Sequence, residues 1–308
     1  MVYDLAIIGG GPAGVAAGVY ASRKRLRTVF ITDSWGGQST VSEGIENWIG
    51  TINIPGSKLA EDLKAHLTAY AGEYVDVKDR ERVENVEKNE DGTFTIATPT
   101  TSYTAKTILI ATGSTRRKLD ILGAEKYENK GITYCASCDG PLFSDQDVVV
   151  IGGGNAAFET AAQLLAYCKS VTMINRGNTY RADEVTVEKV LSHPNMRSIQ
   201  NATLLEVVGE KFVTGIKYKI EGLSEENTVP TTGIFVEIGL IPGTDYVKNV
   251  VARNEVGQII TDPRTQRTQT PGIWAAGDCT DTLYHQNNIA AGDGVRALED
   301  IYLSLHAK

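Results

Sequence analysis

Leu5-Ala6-Ile7-Ile8-Gly9-Gly10-Gly11-Pro12-Ala13-Gly14-Val15-Ala16-Ala17-Gly18-Val19 stands near the start of the chain and decides its fold. Four apolar residues in a row read as a buried strand, and the glycines after them as a turn. An alanine-rich helix to about Ser22 follows, and Thr28-Val29-Phe30-Ile31 resumes as a strand. Strand, glycine turn, helix and strand within about 30 residues make a dinucleotide-binding unit. Gly9 permits the tight turn, Gly11 lets a pyrophosphate approach the backbone, and Gly14 lets the helix pack on the sheet. The helix N-terminus then turns free N–H groups and a partial positive charge toward the phosphates. Asp33 lies at the distance of about 20 residues expected for a ribose partner, although the same residue could simply begin a turn.

The pattern returns a domain's length later. Val148-Val149-Val150-Ile151 leads into Gly152-Gly153-Gly154-Asn155-Ala156-Ala157, a helix to about Tyr167 and the strand Val171-Thr172-Met173-Ile174, with Ala157 where the motif permits a third glycine. Two such units suggest two nucleotides. Each unit is expected to carry a small antiparallel meander, at 83–87, 93–97 and 103–105 in the first and at 203–208, 213–221 and 234–238 in the second. The fold class expected is therefore α/β, with two doubly wound dinucleotide-binding domains, each bearing an inserted meander.

Between these landmarks, Leu59, Leu63, Leu67 and Tyr70 recur at three- and four-residue spacing and predict a helix over 57–70. Trp35-Gly36-Gly37-Gln38 is too glycine-rich for a helix and lies just past a strand end, where ligands gather in open α/β sheets. Residues 107–111 read as a buried strand ending at Thr112-Gly113, and the polar stretch 114–118 reads as a linker. Late in the chain, Gly272-Ile273-Trp274-Ala275-Ala276-Gly277-Asp278 is a strand ending in a glycine and an acid, and a helix is expected over 290–306. His285 has no carboxylate or second histidine beside it and reads as a loop residue.

With 308 residues, 42% apolar and 22% charged, the chain is long enough for two domains with ordinary cores. A net charge of −8 disfavours nucleic acid and anionic lipid as partners, and the runs Arg23-Lys24-Arg25 and Arg116-Arg117-Lys118 read as solvated turns. No apolar run approaches the roughly 18 to 20 residues that span a bilayer. The N-terminal residues lack the pattern of a secretory signal, so a cytoplasmic protein is expected.

Tyr134-Cys135-Ala136-Ser137-Cys138-Asp139-Gly140 carries the chemistry. Two thiols separated by two residues can close a small disulfide ring that cycles between oxidised and reduced. Such a pair can also be half of a zinc site, but zinc needs two further ligands, and Cys168 and Cys279 stand singly without a nearby His or Cys. Redox use leads, and no metal is expected.

Together these residues resemble the low-molecular-weight thioredoxin reductases and the reductase portion of the alkyl hydroperoxide reductase flavoprotein. The resemblance covers essentially the whole chain: Gly9 to Gly14, Gly36-Gly37-Gln38, Glu46-Asn47-Trp48, Ala111-Thr112-Gly113, Cys135 to Gly140, Gly152 to Ala157 and Gly277-Asp278. It implies a discontinuous FAD domain, 1–114 with 242–308, and a nicotinamide nucleotide domain, 115–241, that carries the dithiol. For FAD it implies contacts from Gly9, Gly11, Pro12, Ala13, Gly14, Asp33, Gly37, Gln38, Asn47, Ala111, Thr112, Gly113, Gly277, Asp278 and Gln286. For the nucleotide it implies Gly152, Gly154, Asn155, Ala156, Ala157, Arg176 and Arg181. Electrons would pass from NADPH through FAD to the Cys135–Cys138 pair and on to thioredoxin or a thioredoxin-like protein, in a homodimer. By position Cys138 matches the sulfur that meets the flavin, Cys135 the one that attacks the partner, and Asp139 the acid that handles protons.

One stretch departs from that family. Where thioredoxin reductases carry His-Arg-Arg-x-x-x-Arg to grip a 2′-phosphate, this chain reads Asn175-Arg176-Gly177-Asn178-Thr179-Tyr180-Arg181. The acid that NADH-using relatives place near Asn175 is missing too. NADH or another electron donor is therefore an alternative, as are a dithiol oxidase and a flavin-binding redox sensor. Because the first strand begins at Leu5, without the N-terminal dithiol domains of the alkyl hydroperoxide reductase flavoprotein, the acceptor is expected to be a separate protein.

Overall fold

The computed structural model describes residues 1–42 and 44–306. The chain divides into two units, Met1–Thr115 with Ile241–Lys308, and Arg116–Leu240. In chain order, the elements up to the first crossing are β1 (Val2–Gly10), α1 (Pro12–Arg23), β2 (Thr28–Trp35), α2 (Gly56–Ala71), β3 (Val75–Asp79), β4 (Asn85–Lys88), β5 (Phe94–Ala97), β6 (Ser102–Ile110) and β7 (Ser114–Arg116). The second unit follows with β8 (Ile132–Thr133), α3 (Ala136–Asp139), β9 (Asp147–Ile151), α4 (Asn155–Leu164), β10 (Ser170–Ile174), α5 (Glu184–Leu191) and β11 (Met196–Ile199). It continues through β12 (Ala202–Gly209), β13 (Val213–Ile220), β14 (Glu226–Pro230) and β15 (Gly233–Val236). The chain then returns through β16 (Leu240–Pro242) to β17 (Ile273–Ala275) and α6 (Asn287–His306).

In the first unit the strands form one sheet in the order β3-β2-β1-β6-β5-β4, with β17 also paired to β6. Neighbours of β1 are parallel, whereas β4, β5 and the start of β6 are antiparallel. Leu5, Ala6, Ile7 and Ile8 are all buried, because helices cover one face of β1 and further chain covers the other. Gly18 lets α1 lie close to the sheet and α2: a Cβ there would sit 2.8 Å from Leu67 Cδ1 and 3.2 Å from the Phe30 ring. Leu67 is fully buried at that contact, and truncating such a side chain to alanine costs about 2–5 kcal/mol. The expectation of separate strands at 103–105 and 107–111 is corrected here. They are one strand, β6, whose first residues pair with β5 while Thr104 to Ile110 pair with β1.

The second unit holds a parallel sheet in the order β11-β10-β9-β15-β8 and a three-stranded antiparallel sheet, β12-β13-β14. The placement of 234–238 in the meander is also corrected. Residues Gly233–Val236 pair in parallel with both β9 and β8 and are buried throughout, as an unbroken apolar run requires. The third meander strand is instead the polar segment Glu226–Pro230. α4 also stops at Leu164, short of the expected Tyr167, while α5 starts on Asp183, whose carboxylate accepts from the Thr186 N–H at 3.0 Å. Among the described residues no helix is long and apolar enough to cross a membrane.

Candidate functional sites

In the first unit, the residues expected to meet a dinucleotide gather at the C-terminal ends of β1, β6 and β17. Gly9 has φ +120°, and a Cβ on it would fall 2.2 Å from the Ala111 carbonyl, so the turn after β1 and the Ala111-Thr112-Gly113 turn lie against each other. Gly14 meets the Gly9 carbonyl, and Gly294 of α6 meets the Ala13 carbonyl, so glycine allows both helices to close on the turn. Gly277 packs on Ala13 and Ala290, which brings Asp278 to the same end of the sheet. Gly11 is different: no other part of the chain lies within 4 Å of where its Cβ would be.

The 35–38 stretch closes over this end. Gly36 and Gly37 have φ of +81° and +56°, and a Cβ on Gly37 would lie 3.7 Å from Gly11 Cα. Contrary to expectation, Gln38 lies in a short helical turn, Gly37–Val41, and Ser39 Oγ in it bonds Asn287 Oδ1 at 3.0 Å. Asn47 Nδ2 donates to Gln286 Oε1 at 3.3 Å, and Asn288 Nδ2 donates to the Asn47 carbonyl at 2.7 Å. Asp33 is exposed near the end of β2, before this turn, and accepts from Ser34 Oγ.

These residues fit a dinucleotide. Among the described residues no side chain caps α1, so the N–H groups of its first turn are available beside the open face of Gly11. His285 Nε2 and Asp293 Oδ2 are buried without a partner among the described residues. An unmet buried polar atom costs about 1–3 kcal/mol. Burial raises the Asp293 pKa and Arg296, which donates to its other oxygen at 2.9 Å, works against that rise. His285 does lie in a loop, as its sequence context suggests, but its buried nitrogen was not legible there.

In the second unit, Gly152 has φ +145° and a Cβ on it would meet the Glu237 carbonyl at 2.3 Å. α4 begins at Asn155, again with no side chain capping it among the described residues, and Ala157 is wholly buried. The next loop folds back onto this turn: Arg181 N donates to the Gly153 carbonyl at 2.7 Å, and Asp183 N donates to Asn155 Oδ1 at 2.9 Å. Arg176 and Arg181 are both exposed on that loop, next to the glycine turn. This turn too fits a dinucleotide pyrophosphate.

Asn175 does something its sequence context did not reveal. It is buried, and its Nδ2 donates to the carbonyls of Gly177 and Thr179, so the side chain shapes the loop that presents the two arginines. Glu237 was missed altogether. It is mostly buried at the end of β15, accepts from Thr160 Oγ1 at 2.8 Å, and burial pushes its pKa up to about 6 despite nearby Arg116. A charged residue closing the apolar run 233–238 was the available signal. Arg116, read as a solvated turn residue, is in fact half-buried.

Cys135 and Cys138 form a disulfide, with their Cα atoms 5.3 Å apart, across the one-turn helix α3. Both cysteines are half-buried. Cys135 Sγ accepts from the Cys138 N–H at 3.2 Å, and the Asp139 carboxylate accepts from Thr133 Oγ1. Gln163 on α4 clamps the turn, donating to the Ala136 carbonyl at 3.2 Å and accepting from Ser137 Oγ at 3.1 Å. Gln163 meets the dithiol only through the fold, so no sequence spacing marks it, whereas Thr133 stands two residues before Cys135 and its hydroxyl also accepts from the Cys135 N–H at 3.4 Å. The remaining thiols are buried, Cys168 with its pKa raised to about 11 and Cys279 to about 12 by burial.

Comparison with known proteins gives a consistent picture. The pyridine nucleotide-disulphide oxidoreductase family matches residues 3–294. The chain is 38% identical over 295 residues to an NADH dehydrogenase of Bacillus subtilis. It is 41% identical over 295 residues to the F component of alkyl hydroperoxide reductase from Staphylococcus aureus. Each alignment covers 96% of this chain and 57% of the relative, so the chain spans little more than half the length of these curated relatives. Among solved structures, thioredoxin reductase from Streptococcus pyogenes is similar with a TM-score of 0.90 at 33% identity. Thioredoxin reductase from Giardia duodenalis gives 0.92 at 31%, and in both cases the match covers 100% of this chain and 99% of the other. The chain therefore belongs to the pyridine nucleotide-disulphide oxidoreductase family, within the low-molecular-weight thioredoxin reductases and their relatives in the alkyl hydroperoxide reductase flavoprotein.

Proposed function

We propose that this protein is a flavoprotein disulfide reductase that takes electrons from NADPH and delivers them through Cys135 and Cys138 to thioredoxin or a thioredoxin-like protein. The observation that carries this is the half-buried Cys135–Cys138 disulfide, clamped by Gln163 to the helix of a glycine turn suited to a nucleotide. FAD, when bound by the discontinuous unit, supplies acceptance of a hydride and release of an electron pair to a disulfide, which a nicotinamide does poorly unaided. The nucleotide belongs to Arg116–Leu240, with Arg176 and Arg181 as the grip on its 2′-phosphate.

Reduction of the disulfide gives two thiols from an electron pair and two protons. Cys138 is the sulfur that receives electrons, and Asp139, oriented by Thr133 Oγ1, handles the proton that leaves or joins it. Cys135 as thiolate then attacks one sulfur of the partner's disulfide and displaces the other, forming a mixed disulfide. Cys138 breaks it by attacking Cys135, which restores the internal disulfide and releases the partner as a dithiol. Within this account the protein works as a homodimer in the cytoplasm.

A Cys138→Ser variant tests the acceptor, because it leaves Cys135 unable to be resolved. Incubated with an oxidised thioredoxin, it should accumulate a mixed disulfide that reductant releases and mass spectrometry identifies. Small-molecule adducts alone, with rapid oxygen consumption by the unmodified protein, would instead indicate a dithiol oxidase.

A further inference from the structure

The side-by-side order of β10, β9 and β15 gives the nucleotide crevice a direction. A dinucleotide in an open α/β sheet lies across the strand ends at the switch point, with its pyrophosphate on the helix after the first strand. That helix is α4, and the crevice opens where β9 is flanked by β10 on one side and β15 on the other. The loop after β10 carries Arg176 and Arg181, so the adenosine half takes that side. The nicotinamide half must therefore extend across the Gly152 turn toward the end of β15.

Glu237 is the residue that stands there. Its N–H donates to the Ile151 carbonyl at 2.8 Å, its own carbonyl lies against Gly152, and its carboxylate accepts from Thr160 on the second turn of α4. Neither the strand nor the turn requires an acid at this place. We propose that the Glu237 carboxylate is a nicotinamide-end contact that holds the oxidised, positively charged ring more tightly than the neutral reduced ring. This rests on the assignment of Arg116–Leu240 as the nucleotide unit. Hydride loss leaves the ring with a positive charge, so a fixed negative charge nearby favours the product and draws hydride transfer forward. The pair is screened little by salt because the carboxylate is mostly buried.

The charged groups that act on Glu237 are Arg116, which favours the carboxylate, and Glu159 on α4, which opposes it; the glycine turn adds no charge. Since burial lifts its pKa to about 6, the preference for the oxidised ring should be weak at pH 5 and developed at pH 8. Calorimetric titration of the flavin-loaded protein with NADP+ and with the tetrahydro analogue of NADPH, which keeps an uncharged ring but donates no hydride, reads this directly. Both probes carry the same phosphates, so phosphate titration cancels in the ratio of their dissociation constants. The ratio should shift about tenfold toward NADP+ between the two pH values, and Glu237→Gln should hold it at its acid value. A wild-type ratio that does not move with pH overturns the proposal whether or not the variant folds, as does an equal shift in the variant. Failure of both probes to bind overturns the nucleotide assignment itself, and the proposal with it.

Discussion

Asn175 donates through Nδ2 to the Thr179 carbonyl at 2.9 Å, so the residue at the end of β10 spends its side chain on the loop and not on a ligand. Arg176 and Arg181 are then the exposed charges that this loop offers. Gly177 stands between them with room for a side chain, its nearest neighbours lying at van der Waals distances of 3.8 to 3.9 Å from where a Cβ would be. Gly177→Arg should therefore fold normally and tighten NADPH about ten- to a hundredfold, the worth of one added charge-assisted hydrogen bond, while leaving NADH unchanged. Equal effects on the two nucleotides, measured by titration, would remove the loop from 2′-phosphate recognition.

Gly11 and Gly14 should separate folding from flavin retention. A Cβ on Gly11 meets nothing within 4 Å, whereas one on Gly14 would fall 1.9 Å from the Gly9 carbonyl. Gly11→Ala is expected to keep the thermal midpoint of the flavin-free protein and to lose most bound FAD, read as the ratio of flavin to protein absorbance. Gly14→Ala should lower the midpoint itself. Full flavin content in Gly11→Ala would contradict the placement of the pyrophosphate.

Glu237 should make stability fall as pH rises. Its folded pKa of about 6 lies above the ordinary 4.5, so between these values the folded chain holds more of the proton than the unfolded chain does. The stability present below pH 4.5 is lost as pH climbs through 6, by about 2 kcal/mol in all. Glu237→Gln keeps a partner for Thr160 and should abolish that loss, so its advantage in denaturant titrations appears above pH 6 and vanishes near pH 4. An advantage independent of pH would mean that the burial of charge is not the cause.

Reduced protein should offer two reactive thiols and not four. Cys168 and Cys279 are buried with raised pKa values of about 11 and 12, which keeps them as unreactive thiols at pH 8. Brief alkylation after reduction should label only Cys135 and Cys138, as peptide mapping would show. Rapid labelling of Cys168 in the native state would contradict its burial.

Much of this was legible along the chain because the features are local. Strand, glycine turn and helix succeed one another within about 30 residues, so β1-α1 and β9-α4 announce themselves at Gly9 and Gly152. Pairing partners are not local. An apolar run such as Ile234-Phe235-Val236 looks much the same in a meander or in a parallel sheet, and only the company of β8 and β9 tells them apart. The polar strand Glu226–Pro230 offers only Val229 as an apolar signal, since much of it is exposed. Similarly, Gln163 reaches the dithiol through folding, and Asn175 could be seen as a departure from a phosphate grip but not as the tie that holds the loop.

The central claim is that the Cys135–Cys138 pair exchanges electrons with a bound flavin. Anaerobic titration of the purified, flavin-loaded protein with dithionite, followed by the flavin spectrum, tests it most directly. The unmodified protein should take up two electron pairs per chain, one for the flavin and one for the disulfide, and Cys138→Ser only one. An identical uptake in the variant would contradict the account, because the dithiol would then lie outside the path of the electrons.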